Sequence, residues 1–249
     1  MKHNAQIRNT DLAYFDEGEG APIVLIHGFA SNASVNWLSP GWIKTLTDAG
    51  YRVIAIDNRG HGDSRKFYEE EAYTLQNMSG DVAGLIDHLG LVKPHVMGYS
   101  LGSRITATLA HLHGEKIGQI ILAGNGYNMV EGGFDSSMIR DGLLAESLDA
   151  TTTDIGRDFR FFAEQTKSDL NALAACIMGG RAHIPESVFQ EIQNDTLVII
   201  GTEDTVAIDG ERLAALIPRG RYEPIPKRNH MNAVGDKVYK QKVLEFLQK

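Results

Sequence analysis

The stretch Gly98-Tyr99-Ser100-Leu101-Gly102 decides the fold, because it follows a short apolar run and precedes a helical pattern. A serine between two such segments lies on a tight strand-to-helix turn. The flanking glycines remove side chains that would collide with the strand and the helix. The turn would hold the hydroxyl above the edge of a sheet, beside the first backbone amides of the helix. Such amides stabilise developing negative charge, so the pattern predicts a nucleophile.

Short runs rich in valine and isoleucine alternate with longer helical patterns along most of the chain. After an antiparallel start that ends near Gly20, strands are predicted at residues 23–26, 52–56, 94–97, 119–123, 196–200 and 222–225. This alternation is typical of a mostly parallel sheet covered by helices on both faces. We therefore predict an α/β fold with a mostly parallel twisted sheet.

The helix after the serine turn is predicted to pack one side against the sheet. It carries the apolar residues Leu101, Ile105, Leu109 and Leu112 at spacings of four, four and three. These spacings place all four side chains on one stripe of an α-helix.

The alternation breaks between about Asn125 and Gln193, where no strand is predicted. Three helical patterns follow one another there, at about 138–148, 157–165 and 169–178. We divide the chain into an α/β core, residues 1–124 and 194–249, and a small helical lid inserted at residues 125–193. Such an insertion would cover the carboxyl ends of the strands, where ligands bind in open α/β sheets. The alternative is a set of surface helices that simply pack on the core.

Six apolar residues of the insertion are candidates for a lid surface that contacts substrate. They are Met138, Leu143, Leu148, Phe159, Phe162 and Met178. Apolar residues at helical spacing are more often buried against the core, and burial is the favoured interpretation for each of them.

The composition excludes several classes of partner. The 249 residues carry a formal net charge of -8, with 43% hydrophobic and 22% charged residues. An acidic surface disfavours binding to nucleic acid or to an anionic membrane. The single Cys176 excludes an internal disulfide, and the first residues lack the apolar run of a secretory signal. We expect a cytoplasmic protein with no nucleic-acid or membrane partner.

A serine nucleophile needs a histidine base, and the base needs a carboxylate that fixes its tautomer. With the serine on this kind of turn, the chain order is serine, acid, histidine. Four of the nine histidines follow the serine: His111, His113, His183 and His230. The first two lie on the helix that leaves the turn, and His183 lies in the insertion. His230, in a loop after the last strand, is therefore the predicted base.

The acid is expected at the end of the strand at 196–200. Asp204 is the favoured residue there, and Glu203 is its close rival.

Two backbone amides are predicted to form an oxyanion hole. The sequence Ile26-His27-Gly28-Phe29 ends the first parallel strand in a glycine turn, which places the Phe29 amide beside that of Leu101. His27 is predicted to be structural, because a histidine before a glycine turn more often holds that turn through local hydrogen bonds.

From about Tyr14 to Leu247 the chain resembles the α/β-hydrolase fold family. The resemblance rests on the turn at 27–28, the segment 57–64, the serine turn, the strand end at 201–204 and the loop that carries His230. It implies that Ser100, Asp204 and His230 form a catalytic triad, and that His61 and Asp63 in the segment 57–64 are structural. A glycine often precedes the catalytic histidine in this family, whereas Asn229 does so here.

Within the family, the identity of the nucleophile limits the type of reaction. Members similar to haloalkane dehalogenases and epoxide hydrolases carry aspartate at this turn, and dienelactone hydrolases carry cysteine. The resemblance therefore implies a serine hydrolase, an esterase or lactonase, that cleaves a small or medium carboxylic ester or lactone through an acyl-enzyme. No metal or organic cofactor is expected. Two alternatives are a carbon-carbon bond hydrolase or hydroxynitrile lyase-like enzyme with the same triad, and a non-catalytic small-molecule receptor.

Overall fold

A twisted eight-stranded sheet runs through the computed structural model, which describes residues 2–133 and 135–248. Met1, Phe134 and Lys249 lie outside these ranges. The strands are β1 Lys2–Ile7, β2 Thr10–Glu17, β3 Ala21–Ile26, β4 Tyr51–Ile56, β5 His95–Tyr99, β6 Ile120–Ala123, β7 Thr196–Gly201 and β8 Gly220–Ile225. Their order across the sheet is β1-β2-β4-β3-β5-β6-β7-β8.

The pairing confirms the predicted fold class. β1 pairs with β2, and β2 with β4, in antiparallel register, which gives the antiparallel start. All remaining neighbours in the sheet are parallel. The carboxyl ends of β3, β5, β6, β7 and β8 therefore meet at one edge of the sheet, where open α/β folds place their ligand sites.

Helices connect the parallel strands. They are α1 Trp42–Asp48, α2 Leu75–His88, α3 Leu101–His113, α4 Asn128–Glu131, α5 Ser136–Leu144, α6 Asp154–Gln165, α7 Leu170–Gly179, α8 Glu186–Gln190, α9 Gly210–Leu216 and α10 Lys237–Leu247. Within the described residues, no helix is long and apolar enough to cross a bilayer.

Both faces of the sheet are buried, and β3 shows how. Ile23 and Leu25 pack into one apolar cluster with residues of α1 and α10, whereas Val24 and Ile26 pack into a second cluster with residues of α2, α3 and α7. Successive side chains of a strand point to opposite faces, so an uninterrupted apolar run fits a strand covered on both sides. Each such side chain, fully buried, stabilises the fold by about 1.5–3 kcal/mol.

The buried apolar side of α3 is one turn shorter than the spacing of its apolar residues predicts. Leu101, Ile105 and Leu109 are buried, but Leu112 is 45% exposed, so its predicted contact with the sheet is wrong. A helix of this length rises about 20 Å, whereas the five residues of β5 span about 17 Å. The last turn of α3 therefore lies beyond the strand that it follows.

Between β6 and β7 the described residues contain helices and no strand, as expected. The three predicted helical patterns correspond to α5, α6 and α7. The structure adds α4 and α8, which are too short for a periodic apolar pattern to reveal. Whether residues 125–193 act as a lid is a separate matter of function.

The six apolar candidates of this segment differ in burial. Leu143 is buried, whereas Met138 is 41% exposed. Phe159, Phe162 and Met178 are half-buried against the core, and Leu148 is half-buried too. The favoured interpretation, burial against the core, is therefore correct for Leu143 and partly correct for Phe159, Phe162 and Met178. It is wrong for Met138, and Leu148 is half-buried without packing against the described core cluster.

Close packing at two glycines shapes the turn between β5 and α3. A Cβ atom at Gly102 would lie 2.0 Å from the carbonyl oxygen of Ile26, and one at Gly98 would lie 2.1 Å from the carbonyl oxygen of Gly102. Backbone atoms on both sides leave no room for a methyl group. The first turn of α3 therefore rests directly on the ends of β3 and β5.

We expect Gly102→Ala to destabilise the protein by about 2 kcal/mol or more, because the added methyl group meets backbone that must shift. Urea denaturation followed by circular dichroism measures the change. Gly133→Ala is the matched control, because a Cβ atom there would meet nothing within 4 Å. Equal stability of the two variants would contradict this account of the turn.

Candidate active site

Ser100 lies between β5 and α3 in a strained backbone conformation, with φ 53 and ψ -114. Left-handed φ values are uncommon for residues that carry a Cβ atom and persist only where the surroundings enforce them. Here the Ser100 amide donates to the carbonyl oxygen of Ala123 at 2.8 Å. The Nδ2 atom of Asn125 donates to the Ser100 carbonyl oxygen at 2.6 Å. The turn thus projects the hydroxyl away from the sheet.

The structure brings Ser100, His230 and Asp204 together in one line. The Nε2 atom of His230 lies 3.1 Å from Ser100 Oγ, and its Nδ1 atom lies 2.9 Å from Asp204 Oδ2. The Asp204 side chain is fully buried, and that of His230 is 14% exposed. An ionised carboxylate only accepts hydrogen bonds, so Nδ1–H donates to Asp204 and Nε2 is left to accept the serine proton.

The geometry separates the two candidate acids. Asp204 follows β7, and its Oδ1 atom accepts from the backbone amides of Val206 and Ala207 at 2.9 and 2.8 Å. These two bonds orient the carboxylate toward His230. Glu203 is exposed and makes no described side-chain contact with the histidine. Asp204, the favoured residue, is the one placed against His230.

The loop that carries His230 is held from two sides. Asn229 Oδ1 accepts from the backbone amides of Met231 and Asn232, both at 3.1 Å. The Tyr99 hydroxyl donates to the His230 carbonyl oxygen at 2.5 Å. Burial raises the pKa of Tyr99, so the phenol keeps its proton and stays a donor. Asn229 thus supports the turn at the position where the family often has glycine.

The backbone amides of Phe29 and Leu101 are available to a ligand. Within the described residues neither N–H group donates a hydrogen bond to the protein. Both residues line the same narrow cavity as Ser100. The Leu101 amide opens α3, and the first amides of a helix have no partner inside it. The pair therefore lies where a predicted oxyanion hole would lie.

His27 and His61 are buried away from the serine. His27 Nε2 accepts from the Asn58 amide at 2.9 Å, and His27 Nδ1 lies 2.7 Å from the Gly28 carbonyl oxygen. Burial lowers the pKa of His27, and it lowers that of His61 to about 3. Both rings stay neutral at pH 7. Both rings hydrogen-bond to backbone atoms of nearby loops, which is the contact expected of a structural histidine.

The segment 57–64 is organised around the buried carboxylate of Asp57. Asp57 accepts from the backbone amides of Ala33 and Asp63, both at 2.8 Å, and pairs with Lys2 at 2.7 Å. The Asp63 side chain is exposed and contacts Lys2 at 2.6 Å. Neither Asp63 nor His61 contacts Ser100 in the described structure.

The cavity beside Ser100 contains residues that the sequence did not single out. The cavity is narrow: its volume is about 10 Å³, which is room for about one water molecule. In addition to Phe29, Ser100 and Leu101, it is lined by Arg104, Asn125, Cys176, Ile177 and Arg181. Arg104 lies in the first turn of the helix that follows Ser100, but its lack of an ion-pair partner among the described residues is visible only in the structure. Over residues 2–133 and 135–248, no group of three or more histidine, cysteine, aspartate or glutamate residues could hold a metal ion.

Two comparisons concern the fold. A profile described as the alpha/beta hydrolase fold matches residues 21–173. The enol-lactonase from Burkholderia xenovorans has a similar structure, with a TM-score of 0.84 and 24% sequence identity over 99% of this chain and 100% of that chain. At this identity the second comparison concerns the fold alone.

Many curated relatives match in sequence, and two of them illustrate the coverage. Epoxide hydrolase B from Mycobacterium tuberculosis is 37% identical over 106 residues, which are 41% of this chain and 28% of that protein. The match therefore spans less than a third of the length of that relative. A non-heme chloroperoxidase from Kitasatospora aureofaciens is 27% identical over 274 residues, with 96% of each chain covered.

We expect the stability of the protein to fall on mild acidification, because His61 is neutral in the folded protein. Its pKa, about 3, lies below the usual 6.5, so this stability is fully present above pH 6.5 and declines as the pH falls toward 3. The loss amounts to about 2 kcal/mol between pH 7 and pH 5.

Urea denaturation of the protein and of His61→Gln at pH 7 and pH 5 measures how much His61 contributes to the pH dependence of the free energy of unfolding. The variant lacks the titrating ring, so its pH dependence should be smaller by about 2 kcal/mol, whatever its stability at pH 7. The same pH dependence in both proteins would show that His61 becomes protonated without unfolding.

Proposed function

The chain belongs to the α/β-hydrolase fold family, and from that premise we propose that it is a serine hydrolase that cleaves a small or medium carboxylic ester or lactone. Family membership supports hydrolase chemistry in general. One observation carries the more specific proposal: Ser100 Oγ, the His230 ring and the Asp204 carboxylate form a continuous line of contacts of 3.1 and 2.9 Å.

The proposed reaction begins with attack of Ser100 Oγ on the carbonyl carbon of the substrate. His230 Nε2 takes the hydroxyl proton as the new C–O bond forms, and Asp204 stabilises the imidazolium that results. The strained turn holds the hydroxyl in place, so little reorganisation is needed when the substrate arrives.

The carbonyl oxygen becomes an oxyanion in this step. We propose that the amides of Phe29 and Leu101 donate to it, since both are without protein acceptors and line the cavity. Preorganised donors of this kind are typically worth about 3–4 kcal/mol each in transition-state stabilisation. Because the donors belong to the backbone, side-chain substitution at these positions would not remove them.

The alcohol leaves with the proton from His230, and the acyl group stays on Ser100. Water then attacks this acyl-enzyme while His230 again accepts a proton, and collapse of the second tetrahedral intermediate releases the acid. In a lactone the alcohol and the acid belong to one molecule. The first step therefore opens the ring, and the alcohol stays attached to the acyl-enzyme.

The identity of the nucleophile supports ester hydrolysis rather than the epoxide opening of the epoxide hydrolase relative. Epoxide opening in the family uses an aspartate at the turn, whereas this chain has Ser100 there. The short sequence match to that relative is therefore compatible with a different reaction. The carbon-carbon hydrolases and lyases share the serine triad and are separated from esterases by substrate.

We propose that residues 125–193 form a lid over the site, with residues 1–124 and 194–249 as the core. Two contacts support this role. The Phe159 ring of α6 packs against the Phe29 ring at 5.6 Å, and Thr166 Oγ1 donates to the Ala30 carbonyl oxygen at 2.9 Å. α7 adds Cys176 and Ile177 to the cavity wall. Movement of these helices would therefore change access to Ser100.

We expect Ser100→Ala to lower kcat for hydrolysis of a short-chain nitrophenyl ester by about 10⁵-fold or more, because no other described group occupies the position of the nucleophile. The absorbance of the released nitrophenolate measures the rate of the reaction. Ser147→Ala, at an exposed position, is the control and should retain full activity. Turnover by Ser100→Ala near that of the parent protein would exclude the proposed mechanism.

Asp204→Asn should lower kcat by about a thousandfold or more while the fold is kept, because the amide favours the wrong tautomer of His230. Glu203→Gln is the matched control one residue away, and its kcat should stay within about twofold of the parent. Steady-state kinetics give kcat for both variants, and circular dichroism shows whether each variant is folded. The reverse outcome would assign the acid to Glu203.

A further inference from the structure

The buried arginines of this protein differ in their partners. Arg59 makes a two-point ion pair with Asp81, at 2.6 and 2.7 Å. Arg160 pairs with Glu164 at 2.6 Å. Arg104 is only 3% exposed, and no carboxylate of the described residues pairs with it. A buried charge without a counter-ion is costly, so this exception requires an explanation.

The hydrogen bonds of Arg104 leave donors unused. Its Nη2 atom donates to the carbonyl oxygen of Ala182 at 2.5 Å and lies 3.5 Å from that of Arg181. The Nε atom is buried and has no acceptor among the described residues. Backbone carbonyls orient the guanidinium but do not neutralise its charge.

The unpaired charge faces the active site. Arg104 lines the same cavity as Ser100 and follows it by four residues, at the end of the first turn of α3. Arg181 lines the cavity as well, so two cationic side chains border it.

Burial and the nearby charge of Arg181 lower the pKa of Arg104 to about 9. Burial also lowers the pKa of Arg181, to about 10. Both side chains are therefore still mostly cationic at pH 7. An anion between them would relieve their repulsion and supply the counter-charge that Arg104 lacks.

We propose that this cavity binds a carboxylate carried by the substrate, and that Arg104, assisted by Arg181, is the specificity-determining residue. The inference rests on the proposed function and deepens it: the preferred ester or lactone bears a free carboxylate a few bonds from the scissile carbonyl. A planar carboxylate matches the fork of a guanidinium, and such pairs are among the stronger hydrogen-bonded contacts in proteins. The cavity holds about one water molecule as it stands, so the helices at residues 125–193 must move for this carboxylate to enter. Phe29 and Ile177 then provide apolar walls for the short carbon chain between the two groups.

Two pairs of esters test the preference, because each pair differs mainly in one charge. Monomethyl glutarate and methyl pentanoate place the carboxylate on the acyl side, and 3-acetoxypropanoate and propyl acetate place it on the alcohol side. Acid release in a pH-stat gives kcat/KM. In at least one pair, the anionic ester should be preferred by about tenfold or more. Preference for the neutral ester in both pairs would overturn the inference.

Arg104→Gln should reduce this preference by at least about tenfold, and Arg104→Lys should retain part of it. Arg219→Gln is the matched control: it removes the same charge from an exposed side chain at the amino ends of the strands. It should leave the preference unchanged. If Arg104→Gln does not fold by circular dichroism, Arg181→Gln provides the same comparison from a half-buried position. An equal loss on anionic and neutral esters would contradict a carboxylate site.

Binding without turnover separates this inference from the proposed function. Calorimetric titration of Ser100→Ala protein with glutarate should show binding that weakens at least about tenfold when Arg104→Gln is added, but not when Arg219→Gln is added. Binding of this kind without hydrolysis of any ester would support the carboxylate site and refute the proposed function. Hydrolysis of neutral esters with no glutarate binding would refute the carboxylate site alone.

Discussion

The close contact of the first turn of α3 with the ends of β3 and β5 is the constraint on which the rest depends. Gly98 and Gly102 permit this contact, because any side chain at either position would overlap backbone atoms. The contact enforces the unfavourable backbone angles of Ser100. In turn, those angles aim the hydroxyl at the sheet edge where the loops after the parallel strands converge. A wider turn would lower the strain and also release the serine from its position.

The sheet order explains how distant parts of the chain reach this serine. β3 and β6 flank β5, so the loops after β3 and β6 bring Phe29 and Asn125 to the turn. β7 and β8 follow in the sheet, and their loops carry Asp204 and His230. The buried carboxylate is fixed by two backbone amides, and the histidine loop by the hydroxyl of Tyr99. Rigid strands thus set the positions, and short hydrogen-bonded loops set the orientations.

Much of this arrangement could be predicted from local sequence, because each part has its own signal. Apolar runs identified the parallel strands, and the glycines around Ser100 identified the turn. The sequence favoured Asp204 but left Glu203 as a close rival, since adjacent residues after a strand point in different directions and only the structure shows which one faces His230. The exposure of Leu112 was missed because it depends on where the sheet ends. The helices α4 and α8 were missed because they are too short for a periodic apolar pattern. Arg104 was missed because its significance lies in an absent partner, which only packing reveals.

The central claim is that this turn activates one serine, and labelling with a fluorophosphonate tests it most directly. The reagent reacts with serines whose hydroxyl is activated by a neighbouring base, so peptide mapping after labelling identifies the nucleophile. The account predicts one label per chain, on the peptide that contains Ser100, and no label on protein unfolded in urea. Absence of labelling in the folded protein, or a label on another residue, would contradict it.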